Sequence, residues 1–182
     1  MTQLIIFGIL SLLVIYISRR NLLHMNSHGF YRFFSWICIS WLFSDNYSYW
    51  FENPFSLPQM VSWGLLLIAV YLVITGGIRL IRSGKPSNTR KDDTLFSFEK
   101  TTGLIDTGVY KYIRHPLYAS LIYLSWGICL KNPSIINIII ACISTIFLFL
   151  TSVKDEKECI AYFGESYKSY IKRSRMFVPF IF

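Results

Sequence analysis

The chain has 182 residues, 53% of them hydrophobic and 18% aromatic, and carries a formal net charge of +8. A soluble domain of this length has too little interior to hide that much apolar surface, whereas lipid can cover it, so the composition excludes a soluble globular fold and points to an all-α polytopic membrane protein. The basic excess does not call for a nucleic acid, because its distribution along the chain follows membrane topology and lipid-headgroup contact.

Five apolar stretches follow in chain order. The first, about Leu4 to Ile17, lacks a basic leader and a small-residue cleavage site, so it is expected to be a retained helix and not a signal peptide. The second runs from about Phe30 to Phe43, with aromatics continuing to Trp50, and is interrupted by Asp45 and Asn46. The third spans about Met60 to Leu80, the fourth Leu117 to Leu130, and the fifth Ile135 to Val153. A helix rises 1.5 Å per residue, so about 20 residues cross a core of roughly 30 Å. The third and fifth meet that length; the fourth reaches only about 21 Å. Lys131-Asn132-Pro133-Ser134 is a tight turn, so the fourth and fifth stretches are expected to form a helical hairpin with one short arm.

The 18 lysines and arginines fall in blocks. Arg19, Arg20 and Arg32 follow the first stretch. Eight, from Arg79 to Arg114, follow the third, and six, from Lys154 to Arg175, follow the fifth. Lys131 stands alone, and the 45–58 loop has Asp45 and Glu52 but no base. Five spans with the N-terminus outside and the C-terminus cytoplasmic satisfy the positive-inside rule. The cytoplasmic segments are then Ile81–Pro116 and Lys154–Phe182. The first opens on a turn-rich break, Ser83 to Asn88, with Gly103 and Gly108 as later punctuation. The second is expected to begin as an amphipathic helix over 154–162, break at Gly164 and resume over Glu165–Lys172. Tyr162, Phe163, Tyr167 and Tyr170 would then form one aromatic face. Cys38, Cys129, Cys142 and Cys159 are scattered, with no metal-ligand spacing, so neither a disulfide nor a metal site is expected. The chain reads as one domain over 1–182, with a variable transmembrane part (1–95) and a second part (96–182) that holds the motifs.

Arg114-His115-Pro116-Leu117-Tyr118 places a titratable cluster at the start of the fourth stretch. Proline suits the first helical turn, and the free N–H groups there attract anions. Taken alone, Arg114, His115 and Tyr118 would be an interfacial anchor. Lys154-Asp155-Glu156-Lys157-Glu158, taken alone, would be a solvated helix start. A hairpin brings the two to one membrane face, a cation pair opposite a carboxylate pair.

The run Gly-Leu-Ile-x-x-Gly-x-Tyr-x-x-x-Arg-His-Pro-x-Tyr (Gly103 to Tyr118), the acidic pair, Phe163-Gly164-x-x-Tyr167-x-x-Tyr170 and Pro179 together resemble the isoprenylcysteine carboxyl methyltransferases and related membrane phospholipid methyltransferases. The resemblance covers about 100 to 179. It implies a small integral-membrane enzyme that uses S-adenosylmethionine, held on the cytoplasmic side without a Rossmann fold; no GxGxxG occurs in the chain. By position it assigns cofactor contacts to Thr102, Gly103, Leu104, Ile105, Tyr110, Arg114, His115, Pro116, Leu117, Tyr118 and a carboxylate of Asp155 or Glu156. The departures are Asp155-Glu156 in place of a glutamate pair, Ser120 in place of a glycine, and Thr151 in place of a substrate-binding arginine. Lys154 and Arg173 are the remaining candidates for a substrate cation near Thr151.

The expected function is therefore a membrane-embedded methyltransferase acting on a lipophilic or small apolar carboxylate, thiol or amine, with lipid as its surroundings and no metal. A carboxylate or thiolate acceptor needs no base, while an amine or thiol does, and His115 is the candidate proton acceptor. Two other classes fit less of the chain. One is an NADPH enzyme related to the sterol reductases, which share an RHPxY-like signature on much longer chains. The other is a non-catalytic membrane scaffold with a decayed site.

Overall fold

The computed structural model describes residues 1–85, 95–97 and 99–181. Among these residues are six α-helices: α1 (Thr2–Leu22), α2 (His28–Asn46), α3 (Leu57–Gly84), α4 (Pro116–Cys129), α5 (Ile135–Phe163) and α6 (Glu165–Arg173). There are two short 3-10 turns at Tyr47–Tyr49 and Gly108–Lys111. No strand occurs among the described residues; an isolated bridge pairs Ile113 with Arg175.

Local sequence explains most of the boundaries. Ser27 caps α2 by accepting the Phe30 N–H, and Ser134 caps α5 by accepting the Asn137 N–H, which satisfies donors that have no intrahelical partner. Pro116 opens α4 at its first position. The helix that carries the fifth apolar stretch does not end at Val153. It continues without a break to Phe163, so the amphipathic segment expected over 154–162 is the last part of α5. Nothing in Lys154-Asp155-Glu156-Lys157 breaks a helix. The chain turns only at Gly164, with φ +61° and ψ −133°, a backbone region open essentially to glycine alone. The turn expected over 83–88 is described to Lys85, which takes a left-handed conformation after α3; its remainder, and Arg90 and Lys91, lie outside the described residues.

α2 packs against α1 and α5, and α4 packs against α3 and α5. The interhelical bonds define two ends of the bundle. At one end, Gln3 and Asn137 both donate to the Asp45 carboxylate, and Lys131 donates to Gln59. At the other end, His28 meets Glu158, and His115 meets Asp155 and Glu156. Helices α1 to α5 run between these two ends. Of them α1, α3 and α5 are long and apolar enough to cross a membrane; α4, at 14 residues, is apolar but short. α2 has 19 residues and holds His28, Arg32 and Asp45 along its length. Midway, the Ser144 hydroxyl lies 2.9 Å from that of Ser35 and 3.0 Å from that of Ser125, tying α2, α4 and α5 together. Such short polar links join helices where lipid offers no alternative partner.

Two lone bases are not topology signals. Arg32, grouped above with Arg19 and Arg20, is buried inside the bundle and pairs with Glu99. Lys131 is buried too, its ammonium 3.6 Å from the Trp63 ring centroid, a desolvated cation–π contact.

Candidate active site

The Arg-His-Pro corner is held from three directions. The tail beyond α6 lies beside it: the Arg114 N–H donates to the Arg175 carbonyl (2.7 Å), the His115 N–H to Met176 (3.2 Å), and the Arg175 N–H to Tyr112 (2.9 Å). α6 adds the Tyr170 hydroxyl, which donates to the Tyr110 carbonyl. α5 supplies the carboxylates. Arg114 Nε donates to Glu156 Oε1 (2.7 Å) while its Nη1 donates to the Ser174 carbonyl (2.6 Å). His115 sits between the acids, with Nε2 3.2 Å from Glu156 Oε1 and Nδ1 3.4 Å from Asp155 Oδ2, and stacks on Tyr118. The two clusters at the ends of the α4–α5 hairpin are thus in direct contact.

Beside them opens a pocket lined by polar and aromatic side chains. His115, Asp155, Arg114 and Glu99 line it, together with Tyr110, Tyr118, Phe163, Tyr167 and Tyr170 and the aliphatic side chains of Leu80, Leu95, Leu104, Ile105 and Leu117. The roof is the segment 101–105, pinned to the end of α3 by the Thr102 and Gly103 N–H groups, both donating to the Gly84 carbonyl (2.9 and 3.2 Å). The approach is so close that a Cβ on Gly84 would lie 2.4 Å from Thr101 Cγ2.

Electrostatics follow from burial and pairing. Burial works against charge on His115, but the Asp155 and Glu156 carboxylates outweigh it and raise its pKa above the ordinary 6.5. Glu99 is displaced the other way. Burial would raise its pKa, yet Arg32 and His28 hold it below the ordinary 4.5. Burial raises the phenols of Tyr110, Tyr167 and Tyr170 well above 10, so they stay neutral.

Of the residues expected from sequence, Gly103, Leu104, Ile105, Tyr110, Arg114, His115, Pro116, Leu117, Tyr118 and Asp155 line the pocket. Thr102 instead turns outward and donates to the Lys85 carbonyl. Glu156 is occupied by Arg114 and His115, and Asp155 is the member of the pair on the pocket wall. None of the three substrate-side candidates reaches the lining. Thr151 is fully buried and donates to the Phe147 carbonyl. Lys154 lies over Tyr31, and Arg173 pairs with Asp106 on the exposed surface.

Sequence reading missed the other polar wall. Glu99 lines the pocket and is gripped from α2 by Arg32, with His28 Nε2 3.9 Å away. His28 is itself held by Glu158, which accepts from its Nδ1 (2.7 Å) and its backbone N–H (3.1 Å). Helical spacing puts His28 and Arg32 on one face of α2, which was the available signal. Their acidic partners are 130 and 67 residues away, beyond any local pattern. His28, Asp155 and Glu158 each bring one potential ligand atom within 4.8 Å of the others, a spacing compatible with a cation, although the His28 ring is engaged by Glu158.

A family model described as phospholipid methyltransferase matches residues 59–165. A methanethiol S-methyltransferase of Pseudomonas deceptionensis is 27% identical over 126 residues, 65% of this chain and 42% of that protein. One from Crocosphaera subtropica is 26% identical over 121 residues, 66% of this chain and 44% of that protein. The protein-S-isoprenylcysteine O-methyltransferase of Mus musculus is 38% identical over 85 residues, 44% of this chain and 29% of that protein. The chain spans less than half the length of each of these relatives. No solved structure matches.

Proposed function

The chain belongs to the phospholipid methyltransferase family, and from that premise we propose that it is an integral-membrane methyltransferase that takes its methyl group from S-adenosylmethionine and gives it to a lipophilic or small apolar acceptor. The observation that carries this reading is the contact of His115 with Asp155 and Glu156 across the mouth of the α4–α5 hairpin, beside an aromatic pocket.

The lining suits that cofactor group by group. The Asp155 carboxylate is the partner for an ammonium. The first turn of α4, where Pro116 has no N–H and the N–H groups of Leu117 and Tyr118 have no intrahelical acceptor, is the partner for a carboxylate. Tyr110, Phe163, Tyr167 and Tyr170, with Leu104 and Ile105, offer the flat apolar surfaces a purine needs. When bound, S-adenosylmethionine supplies a methyl group already activated on a sulfonium sulfur, so the transfer calls for no metal. The protein's own contribution is orientation and exclusion of water. Glu156 fixes the Arg114 and His115 side chains, the tail over 174–176 fixes their backbone, and the 101–105 segment covers the pocket. His115 has both ring nitrogens turned to carboxylates, which raise its pKa, so its part on this reading is to orient the site rather than to accept a proton.

The site end of the bundle is cytoplasmic on this reading, with the N-terminus on the other side, in keeping with the bases around it. The whole of 1–182 acts as one domain. A thiol acceptor accords with the relatives named methanethiol S-methyltransferase, a carboxylate with those named protein-S-isoprenylcysteine O-methyltransferase. The test is a methyl-transfer screen with labelled cofactor on detergent-purified protein, against a prenylcysteine, phosphatidylethanolamine and small thiols. Transfer to one of them above the background of Asp155→Asn supports the proposal; no transfer to any of them, with no cofactor binding, refutes it.

A further inference from the structure

The segment that leads into the Arg-His-Pro corner has a concavity on each side. Along 109–114 the side chains divide between them. Tyr110 and Arg114 line the pocket described above, whereas Val109, Lys111, Tyr112 and Ile113 line a separate groove of about 760 Å³. The last turns of α3 divide likewise, with Leu80 in the pocket and Arg79 in the groove. The two concavities share no lining residue. Away from its bases the groove is mainly aliphatic and aromatic, drawing Leu72 from α3, Tyr123 from α4 and Phe177 from the tail. Its volume falls within the ~300–1,000 Å³ of sites that hold a small molecule.

Length and charge define what fits there. The α3 residues that line the groove run from Ile68 to Arg79, a rise of about 16 Å along the helix. That is half of a hydrocarbon core of roughly 30 Å, the depth of one leaflet. The apolar end lies midway along the bundle. The basic end, with Arg79 and Lys111, lies toward the face where α3 terminates. Both bases are exposed, and neither has a carboxylate partner among the described residues. Asp106, the acid of this stretch, is already paired with Arg173, and the Lys111 ammonium lies 5.8 Å from the Tyr112 ring centroid. Arg79 is seated against Gly108, where a Cβ would lie 2.7 Å from its Nε and where φ is +64°. Glycine there serves both the turn and the seat of the guanidinium. Lipid exposure alone calls for an apolar surface, not for a slot one leaflet deep that ends in two unpaired cations. That shape is complementary to an acyl chain beneath an anionic headgroup.

We propose that this groove is a binding site for one anionic phospholipid of the surrounding bilayer, with an acyl chain along α3 and the headgroup phosphate held by Arg79 and Lys111. The segment 109–113 stands between this lipid and the pocket that His115 lines, so the lipid is a bound ligand and not the methyl acceptor. The site stands on the groove and its two bases, and does not depend on which group the neighbouring pocket holds.

The test titrates the full chain, purified in a neutral detergent, with dioleoylphosphatidylglycerol, dioleoylphosphatidylcholine or inorganic phosphate, and counts retained adducts by native mass spectrometry. One phosphatidylglycerol is expected to saturate the protein, with phosphatidylcholine at least tenfold weaker and no adduct with phosphate. Arg79→Gln and Lys111→Gln alter exposed side chains, so the fold survives them, and each is expected to weaken phosphatidylglycerol by about tenfold. Thr75→Phe, which fills the slot from α3, is expected to weaken it as much. Lys172→Gln, at an exposed base of α6 outside the groove, is expected to leave it within about twofold, since a distant surface charge adds little. Failure to retain phosphatidylglycerol, equal retention of the two lipids, or binding of phosphate as tight as that of the lipid would overturn the proposal. So would affinity indifferent to both Arg79→Gln and Lys111→Gln, or a loss in Lys172→Gln equal to theirs, because any basic surface would then serve.

Discussion

Substituting Gly84→Ala tests whether the 101–105 roof is seated where the pocket requires it. The added Cβ would lie 2.4 Å from Thr101 Cγ2 and 3.0 Å from both Thr101 Cβ and Ile105 Cδ1. Carbon atoms do not approach closer than about 3.5 Å without strain, so the roof must shift by about an ångström. Thr101 and Ile105 are only 7% exposed, and the N–H groups of Thr102 and Gly103 both bond the carbonyl of this same residue, so no slack absorbs the shift. Overpacking of this kind costs about 1–3 kcal/mol. Alanine recovers up to about 1 kcal/mol through helix propensity, and less than that at the last helical position. The net is a loss of about 1–2 kcal/mol, a fall in melting temperature of roughly 2–8 °C for a chain of this size. Because Thr101, Gly103 and Ile105 line the pocket, cofactor affinity should fall in parallel, by several-fold. Thermal melting in detergent and calorimetric titration with S-adenosylmethionine read the two effects. An alanine variant as stable as the parent, with unchanged affinity, would mean that the roof does not rest on α3 as described.

Asp155→Asn should weaken S-adenosylmethionine binding by about tenfold or more, the scale of one lost charge-assisted bond, whereas Glu156→Gln, which leaves the pocket wall intact, should weaken it only a few-fold; the same titration ranks them. Tyr170→Phe removes the bond to the buried Tyr110 carbonyl and should cost about 1 kcal/mol, read as a lower melting temperature. Stability should also depend on pH with two limbs. His115 is raised above 6.5 and His28 to about 10, so their contributions are complete below pH 6.5 and fade as pH climbs through those raised values. Glu99 is depressed below 4.5, so its contribution is complete above pH 4.5 and fades as pH falls through the depressed value. Melting temperature followed across pH should therefore be highest between about 4.5 and 6.5, and His115→Gln should flatten the alkaline limb.

The half of the site that lies close together in the chain was legible in the sequence. Pro116 marks a helix start, Lys131-Asn132-Pro133-Ser134 marks a turn, and the two imply that Arg114-His115 and Asp155-Glu156 meet. Gly164 likewise announces the break between α5 and α6. What could not be read was set by helix pairing. α2 lies along α5 so that Phe34 stacks on Phe147 and His28 reaches Glu158, and no spacing in the sequence encodes that register. Arg32 therefore looked like one more interfacial base. The charge of Arg173, legible as a candidate substrate cation, is spent on Asp106 at the surface instead. Thr151 was placed correctly on α5 but faces its own helix, donating to Phe147. The five apolar stretches each fall on a helix of the bundle, but length and apolarity qualify only α1, α3 and α5 as membrane-crossing among the described residues: α4 is short, and α2 carries His28, Arg32 and Asp45.

The central claim is that the hairpin's cationic and acidic corners enclose a place for a methyl donor. It is tested most directly by titrating the purified, unaltered protein with S-adenosylmethionine and, separately, with NADPH, following heat of binding. The account predicts saturable one-to-one binding of S-adenosylmethionine and no detectable heat with NADPH. Binding of NADPH, or of neither compound, would contradict it.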